Sequence, residues 1–291
     1  MGKTRIDTAL SEATHLLSAS STPQLDAELL LAHVLNKPRS YFFTWPEALL
    51  TSEQMRQFLK LVSQRKEGRP VAYLTGQHGF WSLQLKVTEA TLIPRPDTEL
   101  LVELVLDLAL EHESRPDSTK VSKVKVADLG TGTGAIALAL AKEQPDWEVT
   151  AIDKNPEALA VATENAIINN IRNTVFVEGF WCSPLARDSM DIIVSNPPYI
   201  RNNDPHLNKG DVRYEPRSAL ISGADGLDDI RTIAEQSLRC LKPKGWLLLE
   251  HGYDQRNSAQ NIFSLAGFTN IRTKTDLAGH DRVTLAQRCT D

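Results

Sequence analysis

The run Asn196-Pro197-Pro198-Tyr199 follows an apolar stretch that ends at Ser195. Proline holds φ at about −65° and has no N–H, so the carbonyl oxygens of this run point in set directions without a competing donor. The side-chain oxygen of Asn196 and the main-chain oxygen of Pro197 can together accept two hydrogen bonds from one planar NH2 group. Tyr199 adds a flat ring that can stack on a planar substrate. The run therefore predicts binding of an amide or an aromatic amine.

The chemistry that suits such a site is alkylation of the bound nitrogen. A planar nitrogen is a poor nucleophile because its lone pair is delocalised, and two acceptors that hold its N–H bonds turn that lone pair toward an electrophile. Alignment of this kind contributes about 7–11 kcal/mol to lowering a barrier. A methyl sulfonium suits the site, because the nitrogen becomes acidic only after it is methylated. Taken alone, the run also fits an ordinary turn after a strand.

A second run alternates glycine with threonine: Gly130, Thr131, Gly132, Thr133 and Gly134. An apolar segment precedes it and an alanine-rich segment follows, which predicts a strand, a loop and a helix. Glycine lets the backbone approach a ligand, and a helix N-terminus presents unpaired N–H groups to the ligand's polar atoms. The run by itself is compatible with a dinucleotide, with S-adenosylmethionine or with no ligand.

Two acids favour S-adenosylmethionine over a dinucleotide. Asp128 stands just before the loop, where it can accept a hydrogen bond from the ammonium of the methionine part but would repel a pyrophosphate. Asp153 ends the next predicted strand, near the spacing expected for an acid that binds both ribose hydroxyls. The alternative for Asp153 is to cap the helix that begins at Pro156.

Both runs need a scaffold that brings strand ends together. The predicted strands are 125–128, 148–153, 174–178, 191–195, 245–251, 269–273 and 282–286, and the helices between them are 134–143, 156–168, 226–240 and 256–265. This alternation implies right-handed crossovers and a mainly parallel, doubly wound α/β sheet. Such a sheet binds its ligand beyond the carboxyl ends of its strands, where both runs fall.

Three regions are expected along the chain. Apolar residues at helical spacing predict a small helical domain over residues 1–70. Aromatic and β-branched residues with glycines predict a connecting β-hairpin over residues 71–96, followed by the catalytic domain over residues 97–291. Residues 111–123 are polar and predict a loop. Residues 202–217, polar and rich in turns, are a candidate lid.

Composition limits the partners. The 291 residues carry a net charge of −5, divided as +2 over residues 1–89 and −7 over residues 90–291. Neither part has the basic stripe that grips phosphates, so direct binding to nucleic acid is not expected. No apolar run approaches the roughly 20 residues of a membrane span, and no secretory signal is evident, which favours a cytoplasmic protein. Three cysteines and seven histidines show no metal-ligand spacing, so no metal is expected.

The two runs resemble those of N-methylating class I methyltransferases, which have a Rossmann-like fold. Over nearly the whole chain, further motifs resemble the release factor glutamine methyltransferase family. They are Ala72-Tyr73-Leu74-Thr75-Gly76, Leu92-Ile93-Pro94-Arg95-Pro96-Asp97-Thr98-Glu99, Asp211-Val212-Arg213-Tyr214-Glu215-Pro216 and Leu248-Leu249-Glu250-His251-Gly252. The resemblance implies methyl transfer from S-adenosyl-L-methionine, which leaves S-adenosyl-L-homocysteine. The implied acceptor is the side-chain amide nitrogen of the glutamine in the Gly-Gly-Gln motif of class I peptide chain release factors.

The resemblance also implies roles for residues. The loop from Gly130 to Gly134, together with Asp153 and Asn196, matches the cofactor positions, and the run from Asn196 to Tyr199 matches the glutamine pocket. Phe180 aligns with an aromatic residue beside the adenine. Glycine at position 179 replaces a frequent acid, so Trp181 stays an alternative, although core packing is favoured for it. The helical domain is expected to contact the protein substrate.

Two other functions use similar residues. A DNA or RNA adenine N6-methyltransferase uses an Asn-Pro-Pro-Tyr run in the same way, to bind the amino group of an extruded base. It would need a basic groove and a target-reading domain, which the acidic body and the compact N-terminal region disfavour. A non-catalytic S-adenosylmethionine-binding module is expected to lose Asn196 or the loop glycines, and this chain keeps both.

Overall fold

The computed structural model describes residues 4–113 and 123–290. The chain divides into two compact units: Met1–Gln77 with His206–Tyr214, and His78–Pro205 with Glu215–Asp291. Among the described residues, none of the helices has the length and apolar character that crossing a membrane requires. Most of the loop predicted at 111–123 lies outside the described residues.

The first unit is helical, as the sequence predicts. Its elements are β1 (Thr4–Arg5), α1 (Ile6–Leu16), α2 (Pro23–Leu35), α3 (Ser40–Thr44), β2 (Leu49–Leu50), α4 (Ser52–Lys66) and α5 (Val71–Thr75). Proline at the first position starts α2, and a capping box between Thr51 and Gln54 starts α4. Leu30, Leu31 and Phe58 are fully buried in the core between these helices.

The first part of the hairpin predicted over 71–96 is instead helix α5. Pro70 precedes this helix and Gly76, at φ +70°, ends it in the left-handed conformation. The hairpin itself is present, but it begins later, as β3 (Gln77–Phe80) and β4 (Leu83–Lys86). The β-branched and aromatic residues that suggested a strand at position 71 therefore lie in a helical turn.

Part of the candidate lid belongs to the helical unit. Residues His206–Tyr214 pack within it, and Arg65 anchors them there by donating to Asp211 Oδ1 at 2.7 Å and to Asp26 Oδ2 at 2.7 Å. The side chains of Arg65 and Asp26 are 11% and 6% exposed, so their ion pair is largely shielded from water, whereas the Asp211 side chain is 40% exposed. Closure of this segment on a substrate remains a prediction.

The second unit contains all seven strands that the sequence predicts. They are β5 (Lys125–Leu129), β6 (Glu148–Asp153), β7 (Thr174–Glu178), β8 (Met190–Ser195), β9 (Leu241–Glu250), β10 (Thr269–Thr275) and β11 (Asp281–Gln287), in the order β10-β11-β9-β8-β5-β6-β7. The five strands from β5 to β9 run parallel, and β11 is antiparallel to both of its neighbours. The predicted mainly parallel Rossmann-like sheet is confirmed.

Helices cover both faces of this sheet. They are α6 (Glu99–Glu113), α7 (Ala135–Glu143), α8 (Pro156–Ile168), α9 (Asp228–Cys240) and α10 (Arg256–Ala266). Successive strand residues point to opposite faces, so Val126 and Ile192 lie in one apolar cluster while Ala127 and Ile193 lie in another. With both faces packed, the carboxyl ends of the strands are left for polar chemistry.

Candidate active site

Sheet register brings the two runs together. Leu129 at the end of β5 pairs with Ser195 at the end of β8, and the Ser195 hydroxyl donates to the Leu129 carbonyl oxygen at 2.6 Å. Gly130 and Asn196 are the next residues on these two strands. Because adjacent strands lie about 4.8 Å apart, both runs leave the sheet side by side.

A cavity of about 950 Å³, counted out to the solvent at its mouth, lies at this edge. The predicted site residues that line it are Gly130, Thr131, Gly132, Thr133, Asp153, Phe180, Asn196 and Pro198, and Trp181 lines it as well. Gly134, Pro197 and Tyr199 are not among its lining residues.

The glycine loop takes a conformation that favours glycine at each alternate position. The φ angles of Gly130, Gly132 and Gly134 are +70°, +54° and +82°. A Cβ on Gly134 would stand 3.0 Å from Leu138 and 3.2 Å from Ala162, so this glycine permits close helix packing. Around Gly132 the space is open, which leaves its backbone accessible from the cavity.

Asp128 has a different position from the one expected. Its carboxylate is buried, and Oδ2 accepts hydrogen bonds from the Thr131 hydroxyl at 2.6 Å and from Ala137 N–H at 3.1 Å. Burial raises its pKa to about 7. The side chain does not line the cavity, and among the described residues its Oδ1 has no hydrogen-bond partner. Asp128 therefore acts within the loop, tying it to the start of α7.

Asp153 lines the cavity and supports the loop from the neighbouring strand. Its Oδ2 accepts from Gly132 N–H at 2.9 Å and its Oδ1 accepts from Asn155 N–H at 2.9 Å. The cap of α8 is Asn155, whose side chain accepts from Glu157 N–H at 3.0 Å. The helix-capping alternative for Asp153 is therefore wrong, and its remaining lone pairs can serve a ligand.

Phe180 and Trp181 both line the cavity but differ in exposure. Phe180 is 46% exposed, whereas Trp181 is 7% exposed and packs in the core, as favoured from the sequence. The two ring centroids lie 5.6 Å apart, and the Trp181 ring lies against Gly130, where a Cβ would approach it to 3.0 Å. Phe180 is thus the more accessible of the two rings, and Lys154 Nζ lies over it, 5.8 Å from the ring centroid.

The structure explains why glycine stands at position 179. A Cβ there would lie 2.8 Å from the Cδ and Cγ atoms of Pro184, closer than Cβ atoms come in practice. An acidic side chain at this position would require Pro184 to move. Gly179 N–H donates to the carbonyl oxygen of Asp153 at 3.0 Å, so its backbone remains part of the cavity wall.

Replacing Gly179 with alanine is expected to lower the free energy of unfolding by about 1–3 kcal/mol, because the added methyl group overpacks Pro184. Gly79, in strand β3, has open space where its Cβ would be, so Gly79→Ala is the matched control and should change stability by less than about 1 kcal/mol. Urea unfolding followed by circular dichroism measures both. Equal stability of the two variants would contradict the steric explanation.

The Asn-Pro-Pro-Tyr run is ordered by its side-chain contacts. Asn196 is half-buried and its Nδ2 donates to the Thr98 hydroxyl oxygen at 3.0 Å, while the two prolines are buried. Among the described residues, Asn196 Oδ1 accepts no hydrogen bond from the protein. The Tyr199 hydroxyl donates to Glu250 Oε1 at 3.2 Å, and burial together with the Glu250 carboxylate raises the pKa of Tyr199.

Sequence reasoning missed two polar residues of this site. Thr98 is 4% exposed and lines the cavity, and Glu250 is 1% exposed at the end of β9. Both belong to motifs that carried the family resemblance, but no local pattern indicated what they contact. His251 is buried, and its Nε2 lies 2.8 Å from Thr284 Oγ1. Over 4–113 and 123–290, no group of His, Cys, Asp or Glu is placed to hold a metal ion.

Comparisons with known proteins cover nearly the whole chain. A family model described as "PrmC N-terminal domain" matches residues 8–76, and one described as "Methyltransferase small domain" matches residues 110–211. The release factor glutamine methyltransferase of Vibrio cholerae is 51% identical over 289 residues, covering 98% of each chain. Those of Pseudomonas aeruginosa and Escherichia coli are 48% and 46% identical, covering 93% and 96% of this chain and 95% and 97% of theirs.

Solved structures at lower identity share the fold. The METTL16 methyltransferase domain is 17% identical with a TM-score of 0.53, covering 72% of this chain and 90% of that one. A methyltransferase from Pyrococcus furiosus is 15% identical with a TM-score of 0.51, covering 78% of this chain and 97% of that one. At such identities the likeness concerns the class I methyltransferase fold alone.

Proposed function

The chain belongs to the release factor glutamine methyltransferase family, and on this basis we propose that it methylates the glutamine of the Gly-Gly-Gln motif in class I peptide chain release factors, in support of translation termination. The methyl group goes to the side-chain amide nitrogen. The observation that carries the proposal is the position of Asn196, whose side chain lines the cavity formed by the glycine loop on the adjacent strand.

The residues present fit S-adenosyl-L-methionine, which when bound supplies an electrophilic methyl group on a sulfonium and leaves S-adenosyl-L-homocysteine. The backbone of the loop from Gly130 to Gly134 borders the cavity, with open space at Gly132, although the Gly132 N–H is itself bonded to Asp153. Asp153 has lone pairs for the two ribose hydroxyls, and the exposed face of Phe180 suits a purine. Asn196 lines the cofactor cavity and is also the first residue of the run that is assigned to the substrate amide.

The run from Asn196 to Tyr199 is assigned to the glutamine amide. Asn196 Oδ1 accepts one N–H of the substrate amide and the Pro197 carbonyl oxygen accepts the other, which orients the nitrogen lone pair toward the methyl donor. Pro198 stiffens the segment, and Tyr199, held by Glu250, bounds the pocket. No base is required before transfer, because the nitrogen becomes acidic only once it carries the methyl group.

Recognition of the protein substrate is assigned to the helical domain, which the sequence places at residues 1–70. The support is the family model that matches residues 8–76 and the compactness of this unit. The strand and helix region, residues 97–291, is assigned to methyl transfer. Release factors act at the ribosome, so the enzyme is assigned to the cytoplasm. Binding to nucleic acid is not part of the proposed reaction.

The test is methylation of a purified class I release factor with isotope-labelled S-adenosylmethionine, followed by peptide mass spectrometry. We expect a single methyl group on the glutamine of Gly-Gly-Gln, none on a release factor in which this glutamine is replaced by glutamate, and unchanged turnover in EDTA. Label in DNA or RNA adenine with none in the release factor would overturn the proposal in favour of an adenine methyltransferase.

A further inference from the structure

Two hydrogen bonds in series connect Asn196 to a buried carboxylate. Asn196 Nδ2 donates to Thr98 Oγ1 at 3.0 Å, and the Thr98 hydroxyl donates to Glu250 Oε2 at 2.7 Å. The other carboxylate oxygen, Glu250 Oε1, accepts from the Tyr199 hydroxyl. Thr98 and Glu250 are buried, so the bond between them is shielded from water. One carboxylate therefore holds two residues of the Asn-Pro-Pro-Tyr run.

The ionised carboxylate sets the direction of this series. A carboxylate only accepts hydrogen bonds, so the single hydroxyl proton of Thr98 is committed to Glu250. Thr98 Oγ1 then only accepts from Asn196, and it must face the NH2 group of that side chain rather than the oxygen. The Asn196 oxygen is consequently turned away from Thr98 and is left free to accept.

The reverse orientation of the Asn196 amide would have almost the same shape but the opposite polarity. Its NH2 group would then face the NH2 group of a substrate amide, which places two donors against each other. Packing alone distinguishes the two orientations poorly, because the oxygen and the nitrogen of an amide have nearly the same size. A polar group with a defined direction is needed to select one of them.

We propose that Thr98 and Glu250 are positioning residues that select the acceptor-forward orientation of the Asn196 amide and hold Tyr199 beside it. The inference rests on the proposed function, in which Asn196 accepts a hydrogen bond from the substrate amide. It gives a physical role to one residue in each of two motifs, Thr98 in residues 92–99 and Glu250 in residues 248–252.

Charged groups around Glu250 determine when it is ionised. Burial raises the pKa of Glu250 to about 7, while Thr98, Arg282 and Tyr199 favour the ionised form and Asp97 opposes it. Arg282, on β11, is itself paired with Asp276 at 3.0 Å and with Asp97 at 3.4 Å. When Glu250 is protonated it can donate to Thr98 as well as accept from it, so the Thr98 proton is no longer committed and the orientation of Asn196 is released. We therefore expect kcat to fall as the pH drops below about 7.

The first test replaces the Thr98 hydroxyl while keeping its shape. Thr98→Val should lower kcat at least 10-fold with the dissociation constant for S-adenosylmethionine within about 3-fold of the wild type, because the valine neither accepts from Asn196 nor donates to Glu250. Thr98→Ser keeps the hydroxyl and should retain kcat within about 3-fold. Equal kcat for the valine and serine variants would overturn the proposal.

The second test removes the ionisation. Glu250→Gln should lower kcat and flatten the acid limb of its pH profile, since glutamine does not titrate. Asp128 also has a pKa raised to about 7 by burial, but it stays in place in this variant, so any limb that belongs to it persists. A Glu250→Gln profile with the wild-type acid limb would show that Glu250 does not control the step.

A third measurement needs no substrate. In protein labelled with 15N-asparagine, the side-chain NH2 signals of Asn196 are assigned by their loss in Asn196→Asp. Hydrogen exchange of this NH2 group should be at least 10-fold faster in Thr98→Val and unchanged in Thr98→Ser. If the wild type fails to methylate release factors, the proposed function fails, and the exchange rates alone decide the positioning role. If the exchange rate of this NH2 group in Thr98→Val equals that of the wild type, the positioning role is wrong.

Discussion

Replacing Asn196 with alanine is expected to lower kcat for release factor methylation about 100- to 1,000-fold. Loss of one fixed polar group that faces the reacting atoms costs about this much in other enzymes. Here the alanine removes the acceptor that holds one substrate N–H, so the nitrogen lone pair is no longer aligned. The folded structure should persist, because Asn196 is half-buried and, among the described residues, its only side-chain hydrogen bond is the donation to Thr98.

Cofactor affinity separates this effect from damage to the cavity. The dissociation constant of S-adenosylmethionine for Asn196→Ala, measured by isothermal titration calorimetry, should stay within about 10-fold of the wild type. Asn257→Ala is the control, since Asn257 is exposed on α10 and does not line the cavity. Turnover near the wild-type level in Asn196→Ala, with unchanged affinity, would show that Asn196 is not catalytic.

Replacing Asp153 with alanine should have its main effect on cofactor binding, weakening it about 100-fold. The carboxylate accepts from Gly132 N–H at 2.9 Å and is proposed to accept from the ribose hydroxyls. Hydrogen bonds to a charged group contribute about 1.5–3 kcal/mol each, and two of the weaker kind correspond to roughly 100-fold in affinity. At saturating S-adenosylmethionine, kcat should fall less than 10-fold, because the acceptor pocket is intact.

Glu178→Ala is the matched control for this prediction. Glu178 ends β7 and pairs in register with Asp153, but it is exposed and is not a lining residue of the cavity. Glu178→Ala should leave the dissociation constant for S-adenosylmethionine within about 2-fold of the wild type. Asp153→Asn keeps one acceptor oxygen, so its dissociation constant should fall between those of Asp153→Ala and Glu178→Ala. If Asp153→Ala and Glu178→Ala weaken binding equally, the cofactor role of Asp153 is wrong.

Much of the scaffold was predictable because its signals are local. Apolar runs bounded by polar residues marked all seven strands of the sheet, and Pro156 at the first position marked the start of α8. Alternating glycines predicted a loop whose three glycines indeed have positive φ angles. Placing both runs at carboxyl strand ends was enough to predict that they form one site, since parallel strands end at the same edge.

Local signals failed where a side chain had several possible partners. Asp128 was expected to face the ligand, but the Thr131 hydroxyl and the Ala137 N–H nearby in sequence bind its carboxylate instead. Glu250 accepts from the Tyr199 hydroxyl, a contact that no local pattern indicated, while stacking of the Tyr199 ring on a substrate stays a prediction. The helix Val71–Thr75 shows the same limit, because propensity over five residues is weak against tertiary packing.

The amino-acid sequence by itself determined the strands, the glycine turn and the stiff acceptor run, because proline, glycine and apolar periodicity constrain the backbone within a few residues. Only the tertiary structure decided which way the acceptor faces. Thr98 lies 98 positions before Asn196 and 152 before Glu250, and their meeting depends on the order in which the strands assemble. Hydrogen-bond direction among such distant groups follows from folded geometry, since no short stretch of chain contains both the donor and the acceptor.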